Sequence, residues 1–219
     1  MAKAIKKIKV IKKKWFKIIT PKIFNNVPIG ETYVSSVDKV IGKTIKINLK
    51  ELTRDHKQQK QNIKFEVTEV RSDIGQTKVV YYEIMPSAVK RMIRRGKSRV
   101  DISILCTSKE NEAVRIKPLI ITNYNATKNV QSNLRNAAEN IIINYVADTN
   151  FDKVFSDVIN FRLQRILREQ LKKKFPVKIC DIRVLKLENK SKLKKSVKGA
   201  PKPTKTEAKK SEEVIENKK

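Results

Sequence analysis

Apolar and polar residues alternate along much of the first two thirds of the chain, as they do in strands with one buried face. Residues 39–49 (KVIGKTIKINL) and 63–67 (IKFEV) show this period of two, and residues 77–85 (TKVVYYEIM) have strong strand preference. Trp15 begins an earlier strand that leads into a turn at Pro21. Several short strands separated by turns favour a barrel or a sandwich.

Two more strands are predicted at 100–106 and 114–121, and the apolar period then changes to three and four residues. This period predicts an amphipathic helix over 129–147 and a second over 151–174. A short basic helix is also predicted over 88–95, between the strands and ended by Gly96. Phe175-Pro176 ends the last helix, and the alternation of 177–187 (VKICDIRVLKL) predicts a final strand.

These elements form one predicted α+β domain at 13–187, a barrel-like arrangement of antiparallel strands over 13–122 with helices over 129–174 and a final strand over 177–187. Residues 1–12 form a basic extension that cannot fold by itself. Residues 188–219 are lysine, serine, proline and glutamate with scattered apolar residues. They cannot bury enough surface to offset the entropy lost on ordering, so we predict a disordered lysine-rich tail.

The charge of the chain indicates a polyanionic partner. The chain has 51 Lys and Arg against 22 Asp and Glu, a formal net charge of +29, of which +14 belongs to residues 23–187. A globule that repels itself this strongly is expected to lie against a polyanion. Nucleic acid is the usual one and an anionic membrane surface is the other. No apolar run approaches the roughly 18 residues needed to cross a bilayer, and we expect no membrane partner.

The positive charge is concentrated in three clusters, which are the candidate RNA-binding residues. Arginine can grip a phosphate with two hydrogen bonds or stack on a base, so the second and third clusters, which hold the arginines, are expected to make the more defined contacts. The clusters are Lys12, Lys13, Lys14 and Lys17; Lys90, Arg91, Arg94, Arg95, Lys97 and Arg99; and Arg162, Arg165, Arg168, Lys172, Lys173 and Lys174.

Motifs of catalysis are absent from the chain, which has no GxGxxG, GxxxxGK[ST], GxSxG or HExxH. The acidic residues are dispersed, the single histidine His56 lies in a polar stretch, and there is no CxxC, so no metal site is expected. Cys106 and Cys180 are expected to be buried reduced thiols.

Two alternative functions stay open: a nuclease that uses paired acids and a metal, and a free RNA- or DNA-binding assembly or regulatory factor.

Trp15 admits two interpretations. It could stack on an exposed base, as aromatic residues of single-strand binders do. It could instead anchor the first strand in the core or pack under lysine stems, and the large area that tryptophan buries favours this second interpretation.

Several separate blocks of the sequence are similar to a known family. Residues 13–25 (KKWFKIITPKIFN), 29–32 (IGET), 41–55 (IGKTIKINLKELTRD), 97–117 and 173–187 (KKFPVKICDIRVLKL) resemble, in order and spacing, the S-three-Ae family of small-subunit ribosomal proteins of archaea and eukaryotes. The resemblance covers roughly residues 12–187. The short chain and brief N-terminal extension resemble the archaeal members more than the eukaryotic ones.

The resemblance implies a β-barrel-like domain with packed helices that binds ribosomal RNA on the platform of the small subunit, near the messenger RNA exit region. It implies no catalysis and no cofactor. Its implied partners are small-subunit ribosomal RNA, neighbouring ribosomal proteins and messenger RNA near the exit site, and its implied location is the cytoplasmic small subunit. A structural RNA-binding protein of that subunit is therefore the expected function.

Overall fold

The fold is a mixed α+β domain, seen in a computed structural model that describes residues 12–188. The predicted extension, apart from Lys12, and the predicted tail, apart from Glu188, lie outside the described residues. The strands are β1 (Lys14–Ile19), β2 (Pro28–Val34), β3 (Thr44–Asn48), β4 (Gln61–Arg71), β5 (Ile74–Ile84), β6 (Arg99–Asp101), β7 (Ile104–Thr107), β8 (Ala113–Thr122) and β9 (Val177–Glu188). The α-helices are α1 (Leu49–Thr53), α2 (Pro86–Met92), α3 (Lys128–Ala147), α4 (Phe151–Ile159) and α5 (Arg162–Lys172).

The described strands form one sheet in which β9 joins two halves. The path runs β2-β1-β5-β9-β8-β6, with β3 and β4 added beside β5 and with β7 paired to β8. β9 pairs with β8 along most of its length and with β5 through three residues. Among residues 12–188 no pairing connects one end of this path to the other. The α+β class is therefore confirmed, whereas the sheet is not closed into a barrel.

One strand pair departs from the predicted antiparallel arrangement. β1 and β5 run parallel, with Ile18 opposite Gly75, because the chain crosses β2, β3 and β4 before it returns beside β1. A Cβ atom at Gly75 would lie 3.3 Å from Val67 Cγ1, so a side chain there would crowd the strand next to it. Thr77 Oγ1 adds a hydrogen bond of 2.8 Å to the Ile19 carbonyl.

The main core lies between the sheet and the last three helices. α5 packs on β9, and α3 packs on β6 and β7. Aromatic rings meet at its centre: Phe155 has its ring centroid 6.3 Å from that of Phe24 and 6.4 Å from those of Tyr82 and Phe151. A smaller cluster packs the other half of the sheet, with Phe16, Ile18, Val40 and Val67 buried in it.

Both cysteines are free and buried, as predicted. Burial raises the pKa of each thiol to about 12, because the thiolate would lose its hydration. Cys106 Sγ lies 3.4 Å from the Val114 carbonyl, which accepts its weak hydrogen bond. The thiols are therefore packing groups with little thiolate at neutral pH.

The predicted helix over 151–174 is wrong in one respect, because it is two helices, α4 and α5. Phe161 between them has a φ of 58°, and its N–H donates to the Val158 carbonyl at 3.2 Å. The break follows a shift of the apolar phase: the period of Val154 and Val158 would next bury positions 161–162 and 165, whereas Leu163 is the buried residue. Turning the chain brings the leucine face of α5 onto β9.

Replacing Phe155 with alanine tests the importance of the aromatic cluster. We expect Phe155→Ala to lower the free energy of unfolding by about 3–5 kcal/mol, since it removes a fully buried ring that touches three others. Urea unfolding followed by circular dichroism measures the change. Trp15→Ala is the matched control, because Trp15 is 61% exposed; its cost should stay below about 1 kcal/mol. Equal losses in the two variants would contradict this description of the core.

Candidate nucleic-acid interface

The first predicted cluster lies along β1. The alternation of the strand buries Phe16 and Ile18 and turns Lys17 to the opposite face, which is exposed. Lys14 at the start of the strand is exposed, as are Lys12 and Lys13 just before it. The Nζ atom of Lys13 lies 5.7 Å from the ring centroid of Tyr33 on β2. This cluster belongs to the half of the sheet on the far side of β5 from β9.

Trp15 stands on the same outer face, so the prediction that it anchors the strand in the core is wrong. Its side chain is 61% exposed, and its ring centroid lies 4.8 Å from that of Tyr33, directly opposite on β2. Phe16 and Ile18 supply the anchor because the pleat turns them inward. An exposed aromatic pair flanked by lysine suits the other interpretation, a surface on which a base can stack.

The second predicted cluster is only partly helical. α2 starts at Pro86, which suits a first helical position, and ends at Met92, because Ile93 is extended with φ −82° and ψ 126°. Lys90 is therefore on the helix with Arg91, whereas Arg94, Arg95 and Lys97 lie in the loop before β6.

Arg99 of the same cluster lies on β6 and forms an ion pair with Asp101. Its Nε atom is 2.5 Å from a carboxylate oxygen of Asp101, whose other oxygen is 3.8 Å from Arg183 on β9. This arrangement fixes the end of the cluster against the sheet.

The third predicted cluster follows the exposed face of α5. Arg165 and Arg168 are exposed, and Lys172, Lys173 and Lys174 continue past the end of the helix. Arg162 lies 3.5 Å from a carboxylate oxygen of the buried Asp157, which also accepts a hydrogen bond of 2.6 Å from the Tyr145 hydroxyl. Burial and this carboxylate raise the pKa of Tyr145 to about 12.

Lys178 at the start of β9 joins the second and third clusters. The ammonium group of Lys178 and, to a smaller extent, the guanidinium group of Arg94 lie close enough to Lys97 to lower its pKa, since a like charge disfavours the protonated form. Lys178 also lines a pocket of about 270 Å³ together with Arg165 and Arg168. Residues that are far apart in sequence thus form one basic surface, which we call the α5–β9 basic face.

Sequence reasoning missed two cations of this face, Lys60 and Lys178. Lys178 occupies a polar position of the predicted last strand, so its outward direction could have been inferred from the alternation. Lys60 precedes β4, and together with Arg168 it acts to lower the pKa of Asp181 on β9, although burial has the larger effect and raises it. Sequence spacing carries no signal for this approach, because the sheet creates it.

Most of the predicted cations have no acidic partner within residues 12–188. Of the three clusters, only Arg99 and Arg162 form ion pairs there. Cations elsewhere on the sheet are paired: Lys78 with Glu112 at 2.7 Å and Lys46 with Glu83. The clusters therefore keep a charge that an external anion can neutralise.

The described part of the chain contains neither a cluster of metal ligands nor a helix that could span a membrane. Residues 12–188 contain no group of three or more His, Cys, Asp or Glu placed to hold a metal ion. Their helices are all too short or too polar to cross a bilayer. The metal-nuclease alternative thus has no ligand set among these residues.

Comparison with known proteins decides the family. The model of the Ribosomal S3Ae family matches residues 2–191, which is most of the chain. The chain belongs to this family. The resemblance predicted from the sequence blocks is therefore confirmed, and a member of the Ribosomal S3Ae family is an RNA-binding component of a ribonucleoprotein rather than an enzyme.

Three curated relatives of this family member come from archaea. The small ribosomal subunit protein eS1 of Methanobrevibacter smithii is 30% identical over 170 residues, which are 78% of this chain and 88% of the relative. The eS1 protein of Nanoarchaeum equitans is 27% identical over 181 residues, which are 83% of this chain and 91% of the relative. The eS1 protein of Methanothrix thermoacetophila is 25% identical over 171 residues, which are 78% of this chain and 81% of the relative.

The junction of the two clusters can be tested through the pKa of Lys97. We expect Lys178→Gln to raise this pKa toward the ordinary lysine value, because it removes a neighbouring positive charge. A pH titration of the lysine side-chain signals by nuclear magnetic resonance measures the shift. Lys39→Gln, at an exposed lysine near β2, is the control and should leave Lys97 unchanged. An unchanged pKa of Lys97 in Lys178→Gln would show that the clusters do not meet.

Proposed function

We propose that this chain is a structural constituent of the small ribosomal subunit and binds ribosomal RNA through the α5–β9 basic face. Membership of the Ribosomal S3Ae family and the small-subunit relatives support the setting. The observation that carries the RNA contact is the meeting of two basic clusters at Lys178 with few acids to neutralise them. The proposed location within the subunit is the platform near the messenger RNA exit region.

The contacts differ between the two halves of the sheet in this proposal. Arg165 and Arg168 on α5 and Lys178 on β9 bind phosphates at a rigid surface, since helix and strand hold their backbones, and Lys97 adds a contact from the loop before β6. The β1 cluster, with Trp15 beside it, contacts a second RNA segment by charge and by stacking. The lysines of residues 1–12 and 188–219 follow the RNA backbone and add further phosphate contacts.

Further partners follow from the same setting. Neighbouring ribosomal proteins lie against the surfaces that RNA leaves free, and messenger RNA passes near the exit site. The protein acts in the cytoplasm as part of the assembled subunit.

The alternative is a free RNA- or DNA-binding assembly or regulatory factor. A sucrose gradient of cell extract separates the two functions. Stoichiometric presence of the chain in small subunits supports the ribosomal role, whereas its presence only in light fractions would favour the free factor.

Salt dependence tests the phosphate contacts. The logarithm of RNA affinity should fall against the logarithm of salt concentration by about 0.7 to 0.9 for each phosphate neutralised. In the triple variant Arg165→Gln, Arg168→Gln, Lys178→Gln, we expect the magnitude of this slope to drop by about two, because three contacts are removed. Filter binding of a small-subunit ribosomal RNA fragment at several salt concentrations measures it.

A control variant removes the same charge elsewhere. Lys39→Gln, Lys57→Gln, Lys109→Gln changes three exposed lysines outside the predicted clusters and should keep most of the wild-type slope. If both triple variants lose the same slope, binding is diffuse and the α5–β9 basic face is not the site.

A further inference from the structure

The pocket beneath the α5–β9 basic face combines three kinds of group. Its volume is about 270 Å³, smaller than the pockets that bind drug-sized ligands, and it opens between α5 and β9. Cations surround it, acceptors without donors lie in it, and an aromatic ring stands beside it. The groups used here are Phe161, Gln164, Arg165, Arg168, Lys178 and Asp181.

Two acceptors of the pocket have no donor. Gln164 is only 4% exposed, and its Nε2 donates to the Val158 carbonyl at 2.9 Å, whereas its Oε1 accepts no hydrogen bond from the described residues. The side chain of Asp181 likewise forms no hydrogen bond and no ion pair within residues 12–188. Buried polar groups are normally satisfied, so the unpaired Gln164 Oε1 is unusual. The Asp181 carboxylate is only partly buried, so it can accept hydrogen bonds from a ligand that brings donors into the pocket.

Phe161 supplies a flat surface at the same pocket. It is 36% exposed and has a left-handed backbone with φ 58°, a conformation that is unfavourable for an aromatic residue. The break between α4 and α5 places Phe161 there, immediately before the first turn of α5. Strained positions of this kind concentrate at binding sites.

We infer that this pocket holds one unstacked guanine nucleotide of RNA, with the base on Phe161 and its donor edge toward the Asp181 carboxylate. Guanine presents two adjacent donors, the N1–H and the 2-amino group, which match a carboxylate. Adenine and cytosine present one amino group beside a ring acceptor, and uracil presents one N–H between two carbonyls, which the carboxylate repels. This inference rests on the proposed function, because it takes RNA as the ligand.

The cations around the pocket explain why the nucleotide belongs to a chain. Arg165, Arg168 and Lys178 can bind the phosphates on either side of the base, and Lys97 extends the positive surface beyond the pocket. A free nucleotide would use only part of this surface. Single-stranded loops and bulges are the parts of RNA whose bases can leave the stack in this way.

Base selectivity is the test. Fluorescence anisotropy with the full chain compares short uridine oligomers that carry one central guanosine, inosine or adenosine. We expect the guanosine oligomer to bind about tenfold more tightly than the other two, since inosine lacks the 2-amino donor and adenosine lacks both donors. Asp181→Asn should abolish this preference without weakening binding to the all-uridine oligomer, because the variant gains positive charge.

A second pair of variants examines the stacking. Phe161→Ala should weaken binding of the guanosine oligomer by about fivefold or more, whereas Ile41→Ala, at an exposed apolar side chain outside this pocket, should keep the wild-type affinity and the guanosine preference. Thermal unfolding of each variant checks that the fold is retained. If Asp181→Asn only raised affinity for every oligomer equally, Asp181 would be a plain repulsive charge and the inference would be wrong.

The outcomes separate this inference from the proposed function. If wild type binds all oligomers equally, with strong salt dependence, the guanine site is refuted and the phosphate-binding function stands. If guanosine monophosphate alone binds as tightly as the oligomer, the pocket serves a free nucleotide and the RNA assignment is wrong. If no RNA binds, both the function and the guanine site are overturned.

Discussion

Two positively charged side chains, Lys97 and Lys178, lie side by side in this protein, and the burial of β9, which carries Lys178, keeps them together. Lys178 disfavours the protonation of Lys97, yet β9 cannot move away, since Val177, Cys180, Ile182 and Leu185 are buried in the core. Each such apolar side chain contributes about 1.5–3 kcal/mol, and water and salt screen the exposed ammonium groups. Hydrophobic burial therefore sets the charge geometry.

The cations of this protein have two roles, depending on whether an acid lies beside them. Where acids lie beside cations, as at Lys78 and Glu112, the charges belong to the fold and have little left for a partner. Where cations have no acid beside them, as at Arg165, Arg168 and Lys178, their mutual repulsion in the isolated protein is relieved when an anion binds. A surface of this kind is already in the geometry of its bound state, so little ordering is required on binding.

The parts of the fold that depend on local pattern could be predicted from the sequence. The alternation in 63–67 and 177–187 correctly indicated strands, because a half-buried strand requires it, whereas that in 39–49 was right only for Thr44–Asn48, since Lys39 ends a 3-10 helix and Leu49 begins α1. The break at Phe161 was missed, although the apolar phase shifts between Val158 and Leu163, because a positive φ at an aromatic residue has no compositional signal.

The site was less predictable than the fold, for a related reason. Clusters were found by counting cations along the chain, and that count does not include Lys178, which stands alone in a strand. Its proximity to Lys97 depends on the start of β9 lying near the loop before β6, which is a property of the sheet and not of spacing. Trp15 was placed in the core from the average behaviour of tryptophan, whereas the pleat next to Phe16 turns it outward.

The position of β9 also sets the order of events during synthesis. It is the last described strand to leave the ribosome, yet it lies in the middle of the sheet, between β5 and β8. Until it arrives, the nascent chain holds two partial sheets, each with an open edge able to pair wrongly. Folding must therefore finish after translation has passed Glu188, and the strong net charge of the waiting chain keeps such intermediates apart from one another.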